Sequence, residues 1–281
     1  VTSVRVLVDA AAELGEGPVW DERAGVLHWV NITAGQVLTT SIETGETTTV
    51  TLPTMVGAVA PAASGGLVAA VAEGFAFDSC TTTLRVLGPS ERMNDAKVDP
   101  YGRFWAGSTA RDFTPGRGAL HVLMPDRTST VALTGLTLPN GLGWSPDGLR
   151  MYLVDTLQYR LYSFAFGADG LDPHDRQVLH QFDTAEGMPD GLCVDAEGCL
   201  WVAIWGGHKL VRYSPSGQAL TTVDLPVEQP SSCTFGGPAW DRLFVTSARQ
   251  GLNAAPPDLN GALLEILTPA VPGHPTSPFG G

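Results

Sequence analysis

Positive charge is scarce in this 281-residue sequence: 16 Lys and Arg stand against 29 Asp and Glu, for a net charge of −13. No Lys/Arg cluster offsets that balance locally, so a phosphate backbone is repelled and nucleic acid is excluded as a partner. Long apolar runs are missing too. None reaches the ~20 residues that span a bilayer, and Val1-Thr2-Ser3-Val4-Arg5 has no signal-peptide layout, so a cytoplasmic protein without a membrane partner is expected. Cysteine is sparse and never arranged as CxxC: Cys80, Cys193, Cys199 and Cys233 lie in apolar, strand-like stretches and read as small buried core residues, not as ligands or disulfides. The six histidines include no HExxH and no close pair, which removes the zinc-protease layout. Asp169-Gly-Leu-Asp172 lacks EF-hand ligand spacing, and Gly143-Trp-Ser145-Pro-Asp lacks the second glycine of a nucleophile elbow.

Core-forming material is plentiful. Hydrophobic residues make up 43% of the chain and charged ones 16%, a composition that folds and does not stay disordered. The 33 glycines and 21 prolines are spread along the chain, as many short strands joined by tight turns require. All-β is the expected class.

One phrase then recurs six times: a turn residue, Gly, a hydrophobic residue and an aromatic or aliphatic one. Its clearest copies are Asp99-Pro-Tyr-Gly-Arg-Phe-Trp105 and Asp195-Ala-Glu-Gly-Cys-Leu-Trp201. Looser copies span 21–28, 64–68, 145–152 and 238–244. The copies are spaced by roughly 37–49 residues, the length of one four-stranded propeller blade. Each reads as a hairpin, and Glu43-Thr-Gly45, Ala168-Asp-Gly170 and Ser214-Pro-Ser-Gly217 mark outer hairpins. The spacing predicts a single six-bladed β-propeller domain over 1–281, expected as a monomer, with the apolar runs Val4–Val8 and Ala262–Leu267 sharing the blade that closes the ring. A β-sandwich is the alternative, but it gives no reason for six like-phrased hairpins.

Aligning the strand ahead of each turn selects one residue per blade: Glu16, Val56, Asn94, Asn140, Asp190 and Ser231. In a propeller these positions converge on the central channel near one mouth. Two carboxylates and two carboxamides buried together call for a compensating cation, and oxygen-only donors point to a hard one. Ca²⁺ is the first expectation, with Mg²⁺, Mn²⁺, Zn²⁺ or Fe²⁺ as alternatives.

The phrases themselves are similar to a known family. Leu14-Gly-Glu-Gly-Pro-Val-Trp20, Arg92-Met-Asn-Asp-Ala-Lys-Val-Asp-Pro-Tyr-Gly-Arg-Phe-Trp105, Pro139-Asn-Gly-Leu-Gly-Trp-Ser-Pro-Asp147 and Pro189-Asp-Gly-Leu-Cys-Val-Asp195 resemble the regucalcin (senescence marker protein)/gluconolactonase/luciferin-regenerating-enzyme-like family, in order and from about residue 13 onward. The resemblance implies a metal held by Glu16, Asn140 and Asp190, substrate contacts from Arg92 and Asn94, and hydrolysis of a sugar lactone such as gluconolactone or a pentonolactone. Asp190 is then the candidate base for the attacking water, with a metal-bound hydroxide as the alternative. Where such proteins carry an acidic substrate-contacting residue, this chain has the shorter loop 111–118, and Asp112 does not align with that acid. A calcium-binding regulatory propeller without turnover, and a promiscuous phosphotriesterase or arylesterase, are the competing readings.

Overall fold

The computed structural model describes residues 3–77, 82–253, 258–267 and 271–281. Among these residues the strands form six antiparallel sheets, and each of the six recurring phrases makes the turn between the first and second strands of one sheet. The first strands are Gly15–Asp21, Val56–Pro61, Glu91–Val98, Pro139–Trp144, Met188–Val194 and Gln229–Gly236. They pack against one another in ring order and line the channel.

The phrase has a physical basis in its leading aspartate. Asp99 Oδ1 accepts from the backbone N–H groups of Tyr101 and Arg103, while Oδ2 accepts from Trp105 Nε1 at 2.7 Å and from Arg103 Nε. Asp195 repeats the pattern with Glu197, Cys199 and Trp201 Nε1, and takes Arg212 Nε at 2.7 Å. One buried carboxylate thus folds the turn and orients the tryptophan that follows it.

Blade faces bury against their neighbours. Trp20, Trp29, Phe235 and Phe244 fill the space around the seam between the last and first blades, and Trp105, Trp144 and Phe166 the space between blades 3 and 4. Phe75 meets Phe104 edge-on at 6.0 Å between blades 2 and 3. Cys193, Cys199 and Cys233 are buried free thiols, as composition suggested; Cys80 lies outside the described residues.

The ring closes where expected. Ser3–Val8 pairs with Leu263–Leu267, Val4 opposite Ile266 and Arg5 opposite Glu265, as the outermost strand of blade 6. Glu265 takes Arg5 Nη2 at 2.6 Å on one oxygen and Arg242 Nε at 2.6 Å on the other, and the two arginines hold its carboxyl below the ordinary glutamate range against its own burial.

Blade 4 departs from the expected turn. Ala168-Asp-Gly170 leads only into the two-residue strand Gly170–Leu171, and the outer strand Gln177–Gln181 arrives after the 3₁₀ turn Pro173–Asp175, which Asp172 caps through His174 N. A chain segment not anticipated from sequence runs across the far mouth of the channel. Residues 271–281 bridge Gly273 to Asp195 on one side of the ring and Phe279 to Ala62 on the other, and Gly280 N donates to Gly102 O. No helix among the described residues is long and apolar enough to cross a membrane.

Candidate functional site

All six channel strands carry a β-bulge at the residue singled out by the alignment. Register shifts fall at Glu16/Val19, Val56/Ala58, Met93/Ala96, Pro139/Leu142, Pro189/Leu192 and Pro230/Ser232. A bulge bends the strand and re-aims a side chain, and at Glu16, Asn94, Asn140 and Asp190 that side chain lines one cavity. The residue after the channel position is glycine in blades 1, 2, 4 and 5. At Gly57 a Cβ would collide with Asn94 O, at Gly191 with the Ser232 side chain, and at Gly141 it would sit 2.7 Å from Asp190 O. The inner strands approach too closely there for any side chain.

Glu16, Arg92, Asn94, Asn140 and Asp190 all line one cavity of about 220 Å³ at the open mouth. Arg92 Nη1 donates to Asn94 Oδ1 at 2.7 Å, Asn94 Nδ2 to Asn140 Oδ1 at 2.6 Å, and Asn140 Nδ2 to Thr156 Oγ1 at 2.8 Å. This chain runs across two blades and fixes both carboxamides. The other two ring positions do not join it. Val56 is buried and apolar, and the Ser231 hydroxyl is bonded to Gly15 O and to Thr246 Oγ1, which ties blade 6 to blade 1.

The carboxyls are under electrostatic pressure. Burial, and then the charge of Asp95, push Glu16 up to about 8, although Gly17 N donates to its Oε2 at 2.9 Å. Burial, the charges of Glu16 and Asp95 and a hydrogen bond shared with the Glu16 carboxyl push Asp190 well above the usual carboxylate range, and no N–H or hydroxyl donor reaches the buried Asp190 Oδ1. An orphaned acceptor beside a second buried carboxyl and two oriented carboxamides fits a divalent cation. No trio of His, Cys, Asp or Glu gathers at liganding distance among the described residues; Glu16 and Asp190 line the cavity as a pair of carboxyls, with the Asn140 carboxamide beside them.

Sequence reasoning missed three contributors. Thr156 anchors Asn140 from the 3₁₀ turn Thr156–Gln158, and its only signal was its place at the end of Tyr152-Leu-Val-Asp-Thr156. Asp95 stands where most blades have glycine and adds the third negative charge. Loop 111–118 places Phe113 in the cavity wall, while Asp112 Oδ1 is taken by Thr114 N at 3.0 Å and Thr114 Oγ1 at 2.8 Å.

Residues 14–249 match the family model described as the SMP-30/Gluconolactonase/LRE-like region. Regucalcin of Xenopus laevis is 35% identical over 263 residues, covering 89% of this chain and 88% of that protein, and regucalcin of Homo sapiens is 36% identical over 252 residues, covering 85% and 84%. The crystal structure of a calcium-binding protein, regucalcin, from Agrobacterium tumefaciens superposes with a TM-score of 0.91 at 30% identity, over 99% of this chain and 97% of that one. A luciferin-regenerating enzyme superposes with a TM-score of 0.88 at 27% identity, over 98% of both chains.

Proposed function

Because the chain belongs to the SMP-30/Gluconolactonase/LRE-like family, we propose that it is a divalent-metal-dependent hydrolase that opens sugar lactones to their hydroxy acids. The observation that carries this reading is the buried, unpartnered Asp190 Oδ1 facing Glu16 beside the Asn94–Asn140 pair, in a cavity open to solvent. Glu16, Asn140 and Asp190 would hold the cation, and Ca²⁺ is the first choice given an all-oxygen donor set and a calcium-binding relative. A cation bound there supplies Lewis-acid polarisation of an ester carbonyl and stabilises the negative charge that develops on its oxygen.

The chain's own side chains do the rest. Arg92, held by Asn94 and the Met93 carbonyl, presents its remaining N–H groups to ring or hydroxyl oxygens of the substrate. Asn94 fixes the carboxamide of Asn140 and lines the cavity beside it, which limits the orientations a ring can adopt. The Asp190 oxygen left free by the cation would accept the proton of the attacking water, and the same proton is then available to the leaving ring oxygen.

The test is calorimetric and kinetic together. Asp190→Asn and Glu16→Gln should each weaken cation binding by about ten-fold or more, and should abolish turnover of gluconolactone and pentonolactones. Unchanged cation affinity in both variants overturns the ligand assignment. The name of the Agrobacterium relative favours a second reading, calcium binding without turnover, and wild-type cation binding with no hydrolysis of any lactone would select it.

A further inference from the structure

We infer that the cavity is built for a lactone whose flank away from the reacting bond is apolar, an alkyl-substituted δ-lactone in preference to a fully hydroxylated one. The inference rests on the lactone-hydrolase reading and departs from its sugar part. Seven of the fourteen residues lining the cavity are apolar, and Phe113, Leu157, Met188 and Trp205 rise from four separate segments to form much of that wall. The polar half is largely committed. Asn94, Asn140 and Thr156 are bonded to one another, and Glu16 and Asp190 are the carboxyls assigned to the cation. Arg92, Gln250 and the Trp205 indole N–H are left to meet substrate hydroxyls. Of these only the Gln250 amide also accepts. A fully hydroxylated six-membered lactone brings four hydroxyls, each needing an acceptor for its proton, and desolvating them against leucine, methionine and aromatic carbon is unfavourable.

Loop 111–118 carries the same message. Asp112, the loop's acid, is spent on Thr114, whereas Phe113 is 43% exposed and is held in the left-handed backbone region at φ 55°, with its N–H donating to Ala110 O at 2.9 Å. That conformation is unfavourable for a bulky residue and natural for Asn or Gly. A large apolar ring kept in a strained, exposed position at the rim of a cavity has a use when it contacts an apolar ligand.

Two readouts test the inference. In turnover by cation-loaded protein, kcat/KM for a δ-lactone bearing a pentyl chain should exceed that for glucono-1,5-lactone by about ten- to a hundred-fold, within the range an apolar pocket can enforce against added hydroxyls. In binding, the pentyl δ-lactam, which resists hydrolysis, should bind more tightly by calorimetry than the corresponding gluconolactam. Phe113→Asn, which suits the left-handed backbone and leaves the loop intact, should reduce both preferences several-fold while thermal stability holds or rises, and Trp205→Gln should do the same from the other side of the wall. If the pentyl lactam binds preferentially but no lactone is hydrolysed, the proposed hydrolase activity fails and the apolar wall stands. If the gluconolactam or gluconolactone is preferred, or if neither substitution moves the ratio, the inference is overturned.

Discussion

At the scale of single residues, the site is held by a relay in which each side chain positions the next. Arg92→Ala removes the outer end and leaves Glu16, Asn140 and Asp190 in place, so kcat/KM should fall about ten- to a hundred-fold with cation content unchanged by metal analysis. Thr156→Val strips the partner from Asn140 Nδ2 inside the protein and leaves a buried amide donor unmatched. Stability should drop by about 1–3 kcal/mol in urea unfolding, and cation affinity should weaken with it. Gly57 tests the packing beneath the relay. A methyl group there meets the Asn94 carbonyl oxygen, so Gly57→Ala should disturb the bulge that aims Asn94 and lower activity far more than its one added carbon suggests. That Glu16, Asn94, Asn140 and Asp190 line one cavity was legible in the sequence because their repeats keep a common register, although Val56 and Ser231 share that register and do not join them. Why those four meet there was not, since a bulge adds a residue to one strand against its partner and only the pairing of two strands reveals it.

At the scale of elements, the six hairpins were readable because Asp99 and Asp195 do a local job, folding a turn and holding a tryptophan within a few residues of sequence. Non-local features left weaker traces. Ala168-Asp-Gly170 has the composition of an outer hairpin yet yields a two-residue strand, because the pairing partner of Arg160–Gly167 is supplied farther along by Gln177–Gln181. The closing blade was legible only as two apolar runs, and its cohesion adds an ionic part the pattern did not show. Glu265, buried between Arg5 and Arg242, titrates below the normal glutamate range, so its contribution is present above pH ~4.3 and is lost as pH falls through the lowered folded value. Removing this buried partner by Glu265→Gln should cost about 3–5 kcal/mol near neutrality and flatten the acid limb of the stability profile measured by urea unfolding from pH 7 to 3. Deleting residues 1–8 exposes the edge of Leu263–Leu267, and a lower melting temperature with increased aggregation is the expected result. Wild-type stability in that truncation would place the closure of the ring elsewhere.

At the scale of the whole molecule, propeller, channel and cavity follow from repetition, but the segment 271–281 does not repeat and carries no periodicity from which its path could be read. It reaches from blades 5 and 6, where Gly273 meets Asp195 and Trp240, across to blades 2 and 3, where Phe279 and Gly280 meet Pro61 and Gly102. Thr276 and Ser277 lie between, against Lys97 and Thr234 of the channel strands. The channel therefore has a floor, and traffic through it is not one-way. A ligand that enters past the loop carrying Phe113 is therefore expected to leave by the same doorway, so that substrate and product of the proposed hydrolysis exclude each other. Progress curves should show product inhibition that is competitive and fully overcome by substrate, and the working rate should be set as much by how fast the surroundings clear the product as by the chemistry beneath it.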